Sequence, residues 1–310
     1  MSLRVTVLGT SGAIPTTERN PSAVFVRREG DAMLFDVGEG TQRQMMRFGT
    51  GFDVGDVFLT HLHGDHVLGL PGLIQTMAFN ERDAPLSIYT PAGTRTAVVA
   101  LIHAVGRDPA YPVSVTEVEP GETVMRREDY EIRALETEHR SPSVGYALTE
   151  DERKGRFDRE RAEELGVPVG PKFSQLHEGE PVELDDGTIV RPGEVVGPPR
   201  PGRTVVYSGD TRPTEAVREA ASGADLLIHD ATFAADAADR ARETGHSTAG
   251  EAGRLAAEAG VDRLLLTHIS PRYAGDTSDL KAEAEAAFGG EVVVASDGYE
   301  LEVPYPDGEE

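Results

Sequence analysis

The chain has 310 residues and is 38% hydrophobic, enough for a sizeable core in one large α/β domain or two smaller ones. Its 54 acidic and 30 basic residues give a formal net charge of −24, and it has no cysteine. Disulfides, thiolate ligands and a cysteine nucleophile are therefore excluded, and any metal must be held by histidine and carboxylate. No apolar run reaches membrane length and no signal-type segment precedes the first strand, so a soluble cytoplasmic enzyme is expected. The only lysines are Lys154, Lys172 and Lys281. So acidic and lysine-poor a surface suits a halophilic protein in molar salt, where self-repulsion is screened within about 3 Å. The competing reading, and for an ordinary mesophile the favoured one, is an acidic protein that avoids nucleic acid.

Residues 5–8 read as a short strand ending at Gly9-Thr10-Ser11-Gly12, followed by strands over 22–26 and 33–38. Residues 39–48 read as a helix stopped at Gly49 to Gly51. Residues 56–60 form a buried strand that delivers Thr60-His61-Leu62-His63-Gly64-Asp65-His66 at its C-terminal end. The same arrangement recurs downstream: residues 130–135 lead to His139, 204–207 to Asp210 and 263–267 to His268. In layered α/β folds, sites lie outside the carboxyl ends of strands, so four strand ends with metal-type ligands point to one convergent site. Helices are expected over 94–105, 214–221, 248–259 and 279–288, with Gly260 and Gly289 as stops. Strands mixed with helices up to about residue 110, and again after 203, suggest two similar βα halves packed as a sandwich. Residues 150–202 are polar and Pro/Gly-rich and do not fit that core. Their first part carries Arg153, Lys154, Arg156, Arg159 and Arg161, the densest positive cluster, with a short helix over 158–165.

The ligand set suits two zinc ions about 3.5 to 4 Å apart, which need roughly seven ligands with one shared. His61, His63 and His139 are assigned to one ion, Asp65, His66 and His268 to the other, and Asp210 to the bridge. Water held between two dications loses its proton near neutral pH and becomes the nucleophile. His246, opening His246-Ser247-Thr248 before a helix, could protonate a leaving oxygen or bind phosphate. Arg272 and Tyr273 could contact phosphate and base. His229 reads as partly buried, and His103 and His177 as structural or surface residues. Gly12 and Gly38 read as turn residues.

These residues resemble the tRNase Z family, the tRNA 3′-end processing endoribonucleases of the metallo-β-lactamase fold. The resemblance rests on the His61–His66 motif together with Gly9-Thr10-Ser11-Gly12 and Arg19-Asn20, His63-Gly64-Asp65-His66-Val67-Leu68-Gly69-Leu70-Pro71-Gly72, Ser208-Gly209-Asp210-Thr211-Arg212-Pro213, His246-Ser247-Thr248 and Leu266-Thr267-His268-Ile269-Ser270-Pro271-Arg272-Tyr273. It implies an α/β four-layer αββα sandwich over residues 1–310, with a protruding tRNA-binding arm at about 150–175 and a Pro/Gly-rich connection to about 202. It further implies hydrolysis of precursor tRNA 3′ of the discriminator nucleotide, a homodimer in which one subunit's arm serves the other's site, and neither DNA nor membrane as partner. Asp65 then takes the acid/base role and His246 the proton-donor role, and the basic residues 153–161 face tRNA. Where the family has His-Glu-Ala-Thr, this chain reads His229-Asp230-Ala231-Thr232, a carboxylate one methylene shorter to orient His246. Thr17 stands where short forms often carry lysine in Pro-x-Lys-x-Arg-Asn. Two other readings stay open: a broader two-metal phosphodiesterase or small-molecule hydrolase on the same fold, and a catalytically silent RNA-binding member.

Overall fold

The computed structural model describes residues 2–104, 106, 108–306 and 308. Its first half builds β1 (Leu3–Gly9), β2 (Ala23–Arg28), β3 (Asp31–Phe35), α1 (Thr41–Phe48), β4 (Asp56–Phe58), α2 (Gly64–Val67), α3 (Leu70–Phe79), β5 (Leu86–Pro91), α4 (Arg95–Ile102) and β6 (Val113–Val118). The helix expected over 94–105 ends at Ile102, and Val105 lies outside the described residues. Then come β7 (Thr123–Arg126), β8 (Tyr130–Glu136) and β9 (Val144–Glu150), followed by the inserted α5 (Arg159–Glu164), α6 (Pro171–His177), β10 (Val182–Glu183) and β11 (Ile189–Val190). The chain closes with β12 (Thr204–Tyr207), α7 (Glu215–Ala220), β13 (Leu226–Asp230), α8 (Ala238–Thr244), α9 (Ala249–Ala259), β14 (Arg263–Thr267), α10 (Ser278–Phe288), β15 (Glu291–Val294) and β16 (Tyr299–Glu302).

Contacts divide the chain into two units, one of residues 150–202 with the C-terminal tail from Tyr305 and one of the remainder. In the larger unit the strands form two seven-stranded sheets, ordered β16-β1-β2-β3-β4-β5-β6 and β15-β14-β13-β12-β9-β8-β7. The last strand returns to the first sheet, pairing antiparallel with β1, a crossing that a reading of two consecutive halves does not contain. Strand alternation sorts side chains between layers. Val5, Val7, Val24, Val26, Val205, Tyr207, Leu226, Ile228 and Leu265 meet between the sheets. Their neighbours Leu8, Ala23 and Phe25 pack outward with residues of α1, α3 and α4, and Val206, Leu227, Leu264 and Leu266 with α7, α9 and α10. The result is four layers, helix, sheet, sheet, helix.

The smaller unit has a core of its own, which the polarity of 150–202 conceals. Ala162, Val167, Leu176, Val182, Val190 and Val195 are buried together, and the rings of Phe157 and Phe173 lie 4.9 Å apart beside them. α5 is capped by Asp158, whose side chain accepts the Arg161 N–H. Arg153 places its guanidinium 3.4 Å from the centroid of the Tyr305 ring.

Between the sheets, Phe58 stacks on Phe35 at 5.0 Å and on Tyr89 at 4.9 Å, with Tyr146 edge-on at 5.3 Å. It stands two residues before Thr60 and so fixes the strand end from which the histidines depart. Phe58→Ala is expected to destabilise the fold by about 3–5 kcal/mol, from lost transfer energy and the cavity left behind. A shift in the urea midpoint at unchanged slope measures it, and a loss below about 1 kcal/mol would mean that the stack contributes little.

Candidate metal centre

Each candidate ligand leaves a strand end where the backbone stops pairing laterally. β4 ends at Phe58, two residues short of the expected boundary, because Thr60 N–H turns to the buried Asp36 carboxylate (2.7 Å). The chain then runs through His61 and His63 into the single turn α2, which carries Asp65 and His66. β8 leads to His139, β12 to Asp210 and β14 to His268, and His268 adopts a left-handed backbone at φ 59°. That strained conformation aims its ring back over the site.

The seven atoms converge as two overlapping groups. His61 Nε2 and His139 Nε2 lie 3.0 and 3.2 Å from His63 Nδ1, and Asp210 Oδ2 lies 3.6 Å from His61 Nε2. In the second group, Asp65 Oδ2 is 3.7 Å from His66 Nε2 and 3.2 Å from His268 Nε2. Asp210 Oδ2 is 3.3 and 3.2 Å from the same two nitrogens and so lies between the two groups, and it also clusters with Asp230, His246 and His268. A tetrahedral ion with bonds of about 2.0–2.1 Å has its ligand atoms about 3.3 Å apart, close to every one of these separations. His66 Nε2 is fully buried without a hydrogen bond of proper geometry, an atom whose burial costs free energy until a cation meets it. The donor set therefore fits a pair of divalent ions.

The outer contacts fix which nitrogen faces inward. His66 Nδ1 donates to Asp36 Oδ2 (2.7 Å) and His139 Nδ1 to the Gly245 carbonyl (2.8 Å), which turns both Nε2 atoms to the cluster. Thr232 Oγ1 donates to Asp230 Oδ1 (2.7 Å) and accepts from His268 Nδ1 (2.8 Å); Thr60 Oγ1 donates to Asp36 and accepts from His61 Nδ1 (3.0 Å). Burial, reinforced for His61 by its histidine neighbours, holds His61, His63 and His139 below the ordinary imidazole range, in the neutral form that binds cations. Burial also works against His66, yet Asp210 and Asp36 hold it well above that range. The Asp65 and Asp210 carboxyls are penalised by burial, but the surrounding imidazoles keep both lowered and ionised.

His246 adjoins this cluster. Its ring stacks on His268 at 5.0 Å, and its Nδ1 donates to Asp230 Oδ2 at 2.8 Å. Asp230 is fully buried and also accepts N–H bonds from Thr211 and Thr232; burial works against its charge, but the His246 imidazole keeps its carboxyl lowered. Burial would lower the His246 imidazole, but the Asp230 charge and hydrogen bond outweigh it and push it up to about 9.

Comparison with known proteins supplies the remaining constraint. A family model described as Anti-Pycsar protein Apyc1 matches residues 3–153, and one described as Beta-lactamase superfamily domain matches residues 173–269. Ribonuclease Z of Halobacterium salinarum is 64% identical over 309 residues, covering 100% of both chains. The chain belongs to the ribonuclease Z family. Ribonuclease Z of Methanosarcina acetivorans is 56% identical over 305 residues, covering 98% of this chain and 99% of its own. The crystal structure of human tRNase Z, short form, has a TM-score of 0.69 at 27% identity, covering 97% of this chain and 99% of that one. The four layers are accordingly the metallo-β-lactamase fold.

Other residues of this ribonuclease Z family member sit differently from their sequence reading. Gly12 and Gly38 are required by close approach and not by turns. A Cβ at Gly12 would lie 2.8 Å from the His268 ring, and one at Gly38 would lie 2.5 Å from the Asp65 carbonyl. Tyr273 has its hydroxyl engaged, accepting from Ala234 N–H at 3.0 Å. Arg272 is exposed, with its guanidinium 5.3 Å from the Phe233 centroid, and the Phe233 ring is 6.1 Å from that of His246. In the smaller unit, Arg159 pairs with Glu163 and Arg161 with Glu164, while Lys154 and Arg156 are exposed. His229 is wholly buried, donating Nδ1–H to the Asp230 carbonyl. Asp36, unremarked in the sequence, is the chief outer residue. It is a carboxylate at the end of an apolar strand, and the strand-end rule that found the ligands would have found it too.

In metal-free protein the His246 imidazole should titrate at about 9 by NMR, and Asp230→Asn should lower it clearly, since burial is then opposed only by the weaker Asp210 charge. Because the folded value is raised, the pair's stabilisation is complete below about pH 6.5 and disappears as pH rises through about 9. An unchanged titration in Asp230→Asn would show that Asp230 does not set it.

Proposed function

We infer that this chain is a tRNA 3′-processing endoribonuclease, cutting precursor tRNA 3′ of the discriminator nucleotide to leave a 3′-hydroxyl on the tRNA and a 5′-phosphate on the trailer. The observation that carries the reading is full-length identity with ribonuclease Z, which spans the inserted residues 150–202 as well as the catalytic half. Two divalent ions, zinc in this proposal, would supply an acidified water and offset charge on the phosphate. His61, His63 and His139 would hold one ion, Asp65, His66 and His268 the other, and Asp210, near nitrogens of both sets, would serve both. The open side of the cluster, at the exposed His63 and half-buried His139, is where a phosphodiester would enter.

The chain's own residues then divide the proton work. Asp65 is held by the Ala13 N–H (2.7 Å) and by His268, and receives the proton of the attacking water. As the bond from phosphorus to the 3′-oxygen breaks, His246 delivers a proton from Nε2 to that oxygen, and Asp230 stabilises the imidazolium beforehand. The smaller unit is proposed to bind the tRNA body through Arg153, Lys154, Arg156, Arg159 and Arg161, with Arg272 on a phosphate nearer the cut. The Arg159 and Arg161 ion pairs are exposed and worth about 0–1 kcal/mol, so phosphate can replace the glutamates at little cost. A homodimer working in a halophilic, cytoplasmic setting completes the proposal.

The decisive measurement maps both product ends of a precursor tRNA, with metal analysed on the same sample. A cut immediately after the discriminator, two equivalents of zinc, and loss of activity on chelation that zinc restores are expected. Cleavage scattered along the RNA would refute the assignment. Asp65→Ala should lower the rate by at least about a hundredfold, from loss of an acid/base group and a ligand together.

The surface charge generates a separate test. For a basic enzyme, affinity for RNA falls steeply with salt as counterion release weakens. With a net charge of −24, low salt should instead repel the substrate. Cleavage is expected to rise from low to molar KCl, and a monotonic fall over that range would contradict the halophilic reading.

A further inference from the structure

The mechanism above leaves a partly buried ion pair beside the site without a task. Arg212 and Glu251 have side chains 14% and 19% exposed. Arg212 Nη1 donates to Glu251 Oε2 at 2.8 Å and Nη2 to Oε1 at 2.5 Å, the bidentate geometry that only a guanidinium provides. The same Nη1 also donates to the main-chain carbonyl of His246 at 2.7 Å. Glu251 is in turn immobilised by the first turn of α9, where its Oε2 accepts Thr248 N–H (2.9 Å) and Thr248 Oγ1–H (3.0 Å). Ser247 Oγ donates to the Thr211 carbonyl (2.7 Å), so the segments 211–212 and 246–248 are tied directly at two points and a third time through Glu251, which Arg212 and Thr248 share.

Resting on the functional reading above, we propose that Arg212 and Glu251 are positioning residues for His246. Asp230 fixes the His246 ring through Nδ1, and the Ala241 carbonyl accepts the His246 N–H (2.8 Å), which leaves the carbonyl side of the His246 peptide still to be held. Arg212 supplies that second hold on the His246 carbonyl, and its own backbone N–H is anchored on the Glu138 carbonyl (2.9 Å), the residue before His139. His246 Nε2 is thereby set relative to the ligand loops that carry Asp210 and His139. Loss of as little as about 1 Å in such placement costs about a hundredfold in rate. Arg212 acts without touching substrate, and lysine cannot replace it because one ammonium cannot hold both carboxylate oxygens and the carbonyl in one plane.

The test compares Arg212→Lys and Glu251→Gln with the wild-type enzyme on two substrates. The leaving group from precursor tRNA is the 3′-oxygen, an alkoxide that must be protonated, whereas bis(4-nitrophenyl) phosphate expels 4-nitrophenolate, which needs no proton. We expect kcat for tRNA 3′ cleavage to fall about tenfold to a hundredfold with KM changed less than about threefold, while hydrolysis of the nitrophenyl ester falls less than about threefold and bound metal stays equal to wild type. Equal losses on both substrates, or loss of metal, would make the pair a structural support of the ligand loops and overturn the proposal. A rise in KM at constant kcat would make Arg212 a direct phosphate contact and overturn it as well. Unaltered tRNA kinetics in both variants would do the same. Wild-type enzyme that fails to cut at the discriminator would instead refute the functional reading, independently of either variant.

Discussion

The site depends on one carboxylate with no surface of its own. Asp36 is completely buried, and an isolated charge there would be prohibitively costly. It is tolerated because it accepts from Thr60 N–H, Thr60 Oγ1, His66 Nδ1 and the Tyr207 hydroxyl (2.9 Å). Those donors come from both sheets, so the inter-sheet interface and the orientation of His61 and His66 are settled by the same group. Its backbone sits at φ 59°, a strained conformation held because the surrounding bonds over-determine it. Removing the carboxylate would leave four donors unsatisfied and two ligands unaimed.

Legibility in the sequence followed physical range. Short-range features were plain: three imidazoles and a carboxylate within six residues, apolar strands ending in ligands, and helices bounded by Gly260 and Gly289. Convergence of His139, Asp210 and His268 was inferable because all obey the same strand-end geometry. What stayed hidden depended on pairs far apart in the chain. The return of β16 to β1 is set by packing between distant segments, and no local pattern around Tyr299 announces it. The core of residues 150–202 was obscured because few apolar residues, spread among Pro, Gly and charged positions, suffice for so small a unit. Arg212 stood inside a motif visible from the start, but its task became apparent only when His246, 34 residues on, was found against its guanidinium.

Charge acts on two scales here. Globally, a surface of net −24 opposes any polyanion, and recognition must rest on shape, direct contacts and salt that screens repulsion. Locally, acidic groups do the opposite work: Asp36, Asp65, Asp210 and Asp230 concentrate negative potential at the cluster, where cations and an imidazolium are wanted. The first distribution concerns solubility and association, and the second concerns chemistry.

The contiguity of His61, His63, Asp65 and His66 reaches beyond the native state. Asp65 meets His268 across 203 residues, so the complete ligand set exists only after both sheets have assembled, a non-local event that is slow for topological reasons. Four of the seven donors, however, are neighbours in any conformation of the chain. A newly made polypeptide can therefore engage metal before it folds, and whatever affinity the unfolded chain has is subtracted from the stabilisation that metal gives the folded one. The feature that makes the site easiest to find also makes thermal stability a poor gauge of how tightly the finished centre holds its ions.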